Sequence, residues 1–159
     1  AANFNQPIGS WNTSSVHDME DTFRGASSFN QFIGDWATSR VSTMDGMFYE
    51  ATAFNQPIGS WNTSCVRDMG YMLYDATSFD QHIGDWDTSQ VASMKCMFYK
   101  AANFSQPIIS WNTGSVRDMS YMFYGATSFD EPIGDWEISQ VASMKSMFYE
   151  AASFNQPIG

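Results

Sequence analysis

Phenylalanine recurs every 25 residues without a break, at Phe4, Phe29, Phe54, Phe79, Phe104, Phe129 and Phe154. The same interval carries Ala1 to Ala151, Ile8 to Ile158, Trp11 to Trp136, Val16 to Val141 and Met19 to Met144. A constant period of this length marks one structural unit copied many times, each copy burying its apolar side chains against its neighbours. The expectation is one solenoid domain over residues 1–159. It comprises repeats 1–25, 26–50, 51–75, 76–100, 101–125 and 126–150, with a partial repeat at 151–159.

The third repeat predicts the path of the chain. Phe54 to Trp61 is short and extended, because its apolar residues are too irregular for a helix and Pro57 forbids one. Asn62-Thr63-Ser64 is a turn, since all three side chains bond to nearby backbone. Val66, Met69, Met72 and Leu73 then have the spacing of a bent strand running into a helical or 3₁₀ turn. Short parallel strands about 4.8 Å apart would stack equivalent residues above one another. The Phe, Ile, Trp, Val and Met columns would form the core, with Leu73 and Thr22 as departures. Gln6, Gln31, Gln56, Gln81, Gln106 and Gln156, interrupted by Glu131, would form an amide ladder; Thr13, Thr38, Thr63, Thr88 and Thr113 would form a hydroxyl ladder.

Charge follows a doubled period. Asp18, Asp68 and Asp118 alternate with Thr43, Ser93 and Ser143, while Asp35, Asp85 and Asp135 alternate with Ser10, Ser60 and Ser110. Arg67 and Arg117 also skip repeats, as do Lys95 and Lys145. Carboxylates stacked about 4.8 Å apart repel by roughly 1 kcal/mol even in water, and skipping a repeat about halves this. The Asp columns are expected to be exposed. The net charge of −10 argues against nucleic acid and anionic membrane as partners. No apolar run reaches the roughly 18 residues of a membrane span, and no signal-peptide pattern is present. The sequence opens and closes inside a repeat without an initiator Met, so targeting or anchoring segments are expected outside it.

The residues assign no catalytic group, cofactor site or metal site, which predicts a protein that is not an enzyme. His17 and His82 stand in different columns, and no nucleophile is paired with a base. Asp18, Asp68 and Asp118 would lie about 9.6 Å apart, too far to share a calcium ion. Asp85 with Asp87, or Asp130 with Glu131, offers only weak cation binding without a recognised loop spacing. Cys65 and Cys96 occupy different columns and are expected to be free thiols. Asn12, Asn62 and Asn103 begin N-x-S/T sequons, a weak signal for N-glycans. The candidate interaction stripe is Tyr49, Tyr74, Tyr99, Tyr124 and Tyr149, joined in alternate repeats by Tyr71 and Tyr121. The second candidate is the pair of ends: residues 1–9 and 151–159 are near-copies in the same phase, as expected either of a slice of a longer array or of end-to-end stacking of copies.

Ser60-Trp61-Asn62-Thr63-Ser64-Cys65-Val66-Arg67-Asp68-Met69 and Ser120-Tyr121-Met122-Phe123-Tyr124-Gly125-Ala126 resemble a repeat found in bacterial and protist surface proteins. That family includes the mycoplasma lipoprotein-associated repeat and is related to BspA-like leucine-rich repeats. The resemblance covers the whole chain. It implies a right-handed, leucine-rich-repeat-like solenoid, secreted or displayed on a cell, that acts in adhesion or protein interaction. It brings no catalytic or ligand residues. Departures are Phe where the family often has Leu, Ala where many members have Cys, and Ile109 at the usual Gly. The expected function is non-enzymatic interaction with other proteins or with copies of itself at the cell surface. A structural fibre segment is the alternative, and an ice-binding solenoid using the Thr and Ser columns is a remote one.

Overall fold

The computed structural model describes residues 1–158. Each repeat is a closed circuit of tight turns. Backbone N–H groups of Trp11, Val16, Ala26 and Phe29 donate to carbonyls three residues back, at 2.9 to 3.0 Å, and the pattern recurs along the chain. Among the described residues there is no helix and no continuous strand. The only strand-like pairings are isolated parallel bridges, one per repeat, joining Asp18, Thr43, Asp68, Ser93, Asp118 and Ser143.

The expected strands and helical or 3₁₀ turn are therefore corrected, and the backbone shows why. The segment after Met19 turns left-handed at every fourth residue, at Asp21 (φ 53°) and Gly25 (φ 67°) in the first repeat. Each left-handed residue swings its peptide group out of the helical path. Alternate N–H groups close overlapping turns, with Thr22, Arg24 and Ala26 donating to Met19, Asp21 and Phe23. The intervening ones, on Met19, Asp21, Phe23 and Gly25, donate to Thr43, Asp45, Met47 and Tyr49 of the next repeat at 2.7 to 3.1 Å. A helix would satisfy these groups within one segment; here half of them serve the neighbour, so every interior peptide still finds a partner. Among the described residues nine non-glycine residues adopt the left-handed conformation, at about 1 kcal/mol or more each. Those in interior repeats, such as Tyr71 and Asp75, are held there by bonds to the neighbouring repeats.

The core is a set of stacked columns. Rings of the Phe4–Phe154 column lie 5.7 to 6.2 Å apart and nearly parallel. A second column, Phe23, Phe48, Leu73, Phe98, Phe123 and Phe148, packs against the first with centroids about 4.1 Å apart where Phe23 meets Phe29. Interior members of the Phe, Ile, Val and Met columns are wholly buried, and Trp61 and Trp86 retain only 4% and 3% exposure. Each indole from Trp36 to Trp136 donates its N–H to the Ile carbonyl of the preceding repeat at 3.0 to 3.2 Å. Tryptophan thus fills the core and satisfies its one polar atom there.

Two expected ladders take a different form. Threonine hydroxyls do not bond to one another. Thr13, Thr38, Thr63, Thr88 and Thr113 are buried, and each donates to a backbone carbonyl of the following repeat at 2.9 to 3.1 Å. Glutamines do not pair with glutamines. Gln31, Gln56, Gln81 and Gln106 donate to the Asn or Asp carbonyl oxygen of the preceding repeat, on Asn5, Asn30, Asn55 and Asp80. The same oxygen accepts the next backbone N–H, as Asn30 Oδ1 does from Asn55. The ladder fails only where Ser105 removes the acceptor and Glu131 removes the donor, both at one junction.

Asp35, Asp85 and Asp135 are exposed as expected, but Asp68 and Asp118 are half-buried. Asp68 Oδ1 accepts the Gly70 N–H and Asp118 Oδ1 the Ser120 N–H, both at 2.8 Å. In repeat 26–50 Thr43 Oγ1 receives the Asp45 N–H at 3.2 Å, and in repeat 126–150 Ser143 Oγ receives that of Lys145 at 3.5 Å. Hydroxyl and carboxylate perform the same turn-closing task at Thr43 and Asp68, and the alternation halves the charge along the column. The Gly9 column is set by close approach instead of a left-handed φ. A Cβ on Gly9, Gly59 or Gly84 would sit 2.5 to 2.6 Å from a carbonyl oxygen of the next repeat. Ile109 in this column is 38% exposed.

Candidate functional site

The tyrosine column follows the buried Phe23 column by one residue, on the run of overlapping turns. Those turns repeat in register, so the rings superpose. Tyr49, Tyr74, Tyr99, Tyr124 and Tyr149 stack with centroids 4.3 to 4.8 Å apart and interplanar angles of 2° to 19°. This matches the spacing of hydrogen-bonded neighbours. The rings cover one another's faces, so the stripe offers edges and phenol oxygens to a partner. Tyr71 and Tyr121 lean against it at 37° and 47° from Tyr74 and Tyr124. All are half-buried except Tyr149, which is exposed. Burial, with Tyr49 and Tyr99 alongside, pushes the Tyr74 phenol far above its ordinary range.

Cations decorate this ridge. In the first repeat Arg24 stands in the tyrosine column, its guanidinium carbon 3.8 Å from the Tyr49 ring centre. It also binds Asp21 at 3.0 Å, and that bond raises its pKa. Lys95 and Lys145 lie 5.7 and 5.6 Å from the Tyr71 and Tyr121 ring centres, and hydrogen bonds to those phenols raise the pKa of both ammonium groups. Cys96 is buried beside Tyr71, and burial pushes its thiol up. Cys65 is exposed, and both cysteines are free. The arrangement donates and accepts hydrogen bonds along a line, with positive charge at intervals.

Other sequence-predicted residues fall elsewhere. Asn12 and Asn62 each close a turn through Oδ1, accepting the N–H of Ser14 and Ser64, while Asn103 is exposed. His82 pairs with Asp85 at 3.0 Å in a shallow, open recess floored by Pro57 and Gly59, and His17 is exposed. Asp87 accepts from Ser89, which holds its carboxyl below the usual range. Among the described residues no group of three or more His, Cys, Asp or Glu side chains is placed to hold a metal ion. Sequence reasoning missed an acidic group around Asp45. Burial first, then the charges of Asp68, Glu20 and Asp21, raises the Asp45 carboxyl to about 6. Its signal was present, because Glu20 and Asp45 occupy one column in adjacent repeats and break the alternation.

A stack of turn-built repeats joined by recurring bonds from one repeat to the next defines a repeat protein. The chain belongs to the family described as Mycoplasma protein of unknown function, DUF285, which it matches over residues 1–101 and again over 74–159. No curated protein and no solved structure matches it. Among the described residues no helix is long and apolar enough to cross a membrane.

Proposed function

We propose that the chain is a right-handed, leucine-rich-repeat-like solenoid that works without catalysis, outside the cell or on its surface, as a module for protein interaction or adhesion. The tyrosine ridge carries the reading. Tyrosine combines an apolar body with a polar tip and loses little conformational freedom on binding, which suits a recognition surface. Here stacking has already fixed the rings before any partner arrives, and a preorganised surface loses less entropy on association. The partner is a protein, not nucleic acid, given the net charge of −10. Ice binding lacks its working face, because Thr38 and Thr88 retain only 2% and 0% exposure.

Fluorescently labelled protein is expected to bind intact cells of the source organism saturably, and protease treatment of the cells should abolish binding. Tyr99→Ala with Tyr124→Ala should weaken it at least tenfold, roughly the loss of one strong contact point, with the fold intact by circular dichroism. Undiminished binding by the double variant would remove the ridge from the account.

A further inference from the structure

All three lysines of the chain lie along the tyrosine ridge. Lys95 and Lys145 stand over Tyr71 and Tyr121, and Lys100 over Tyr99, with ammonium nitrogens 5.6 to 5.7 Å from the ring centres. The chain carries 17 acidic side chains, yet among the described residues the ion pairs are Arg24 with Asp21 and His82 with Asp85. Lys95 and Lys100 have repeats on both sides, and Lys100 is exposed. Tyrosine rings thus position the ammonium groups without neutralising them.

The two columns flanking the tyrosines change sign along the ridge. One runs Glu20, Asp45, Gly70, Lys95, Ser120, Lys145; the other runs Gly25, Glu50, Asp75, Lys100, Gly125, Glu150. Arg24, beside the acidic stretch, is occupied by Asp21. Unpaired positive charge on the ridge is therefore confined to a short stretch around Lys95 and Lys100. A long polyanion such as nucleic acid or sulfated polysaccharide would run past this stretch onto carboxylates, which repel it. A short acidic run in a protein stays within it. Lys95 and Lys145 hold equivalent places two repeats apart, about 9.6 Å at the usual spacing of hydrogen-bonded neighbours. A polyproline II chain advances about 9.3 Å in three residues and returns to the same face. Carboxylates three residues apart would therefore meet both lysines.

We infer that the ridge from Tyr71 to Tyr124 takes an extended acidic segment of a partner protein, with carboxylates on Lys95, Lys100 and Lys145. This rests on the reading of the ridge as an interaction surface and gives the partner its charge, shape and spacing. The segment lies across the tyrosine edges, because the ring faces are stacked on one another. Phenol oxygens bond to its backbone, which in the polyproline II conformation makes no internal hydrogen bonds.

The test is fluorescence anisotropy of the full chain with a labelled peptide of repeated Glu-Pro-Pro units. Binding should saturate and weaken as salt is added. A Gln-Pro-Pro peptide of the same length should bind at least tenfold more weakly. Lys95→Gln with Lys100→Gln should weaken binding of the acidic peptide about tenfold, as two exposed ion pairs supply. Arg40→Gln removes a cation that stands over no tyrosine among the described residues and should leave binding unchanged. No binding of the Glu-Pro-Pro peptide, equal binding of the two peptides, or tighter binding of heparin or oligodeoxythymidine overturns the inference. Cell binding separates its failure from that of the ridge. If the lysine double variant binds cells undiminished while Tyr99→Ala with Tyr124→Ala does not, the ridge stands and the acidic partner falls. If both variants bind undiminished, both readings fall.

Discussion

Thr88 has no exposed surface, and its hydroxyl donates to the Asn112 carbonyl at 2.9 Å. Valine has the same shape without the donor, so Thr88→Val is expected to cost about 1–2 kcal/mol in denaturant unfolding. No loss would show that the hydroxyl is idle. The broken amide ladder gives the opposite test. Ser105→Asn with Glu131→Gln restores an acceptor and a donor at the one junction lacking both, and should add about 1 kcal/mol. At Asp45 the sign follows from a folded pKa of about 6, above the ordinary carboxylate value. The folded state holds that proton more tightly, so stability is full below about pH 4 and falls as pH rises through 6. Asp45→Asn should flatten this dependence and raise the unfolding free energy at pH 7, by no more than about 1 kcal/mol because solvent reaches the group. These columns were legible in the sequence as columns. Their bonding was not, because recurrence does not say which peptide groups the backbone leaves facing a side chain.

The element here is the turn. Val66, Met69, Met72 and Leu73 have a spacing that suits a helical turn, yet overlapping turns with left-handed residues between them bury the same four side chains. Apolar spacing alone does not separate the two paths. Glycine occupies left-handed places at Gly25, Gly46 and Gly125, but Glu50, Tyr71 and Lys100 hold equivalent ones, which masked the signal. Glu50 is exposed and has a φ of 57°. Glu50→Gly should therefore leave stability unchanged or raise it by up to about 1 kcal/mol in thermal melts. Gly59→Ala should lower it by about 1–3 kcal/mol, since its Cβ would press within 2.5 Å of the His82 carbonyl oxygen.

For the whole molecule, the period of 25 residues was enough to place the core columns, and the doubled charge period enough to imply repeats stacked in direct register. The tyrosine column was also visible, but its character was not. A sequence shows aromatic residues at a fixed interval, whereas only the stacked rings reveal that their faces are spent on one another. The bonding between repeats was hidden for the same reason, since it lies in the orientation of peptide groups. The central claim is that each repeat is held to the next by forward-pointing N–H groups. Residue-resolved hydrogen exchange on the dilute chain tests it most directly. Amides of Met69, Tyr71, Leu73 and Asp75, which donate to the next repeat at 2.6 to 3.1 Å, should be strongly protected. Those of Asn12, Asn62 and Asn112, which are exposed and donate to no group among the described residues, should exchange freely. Equal protection in the two sets at high dilution, or rapid exchange in both, would contradict the account.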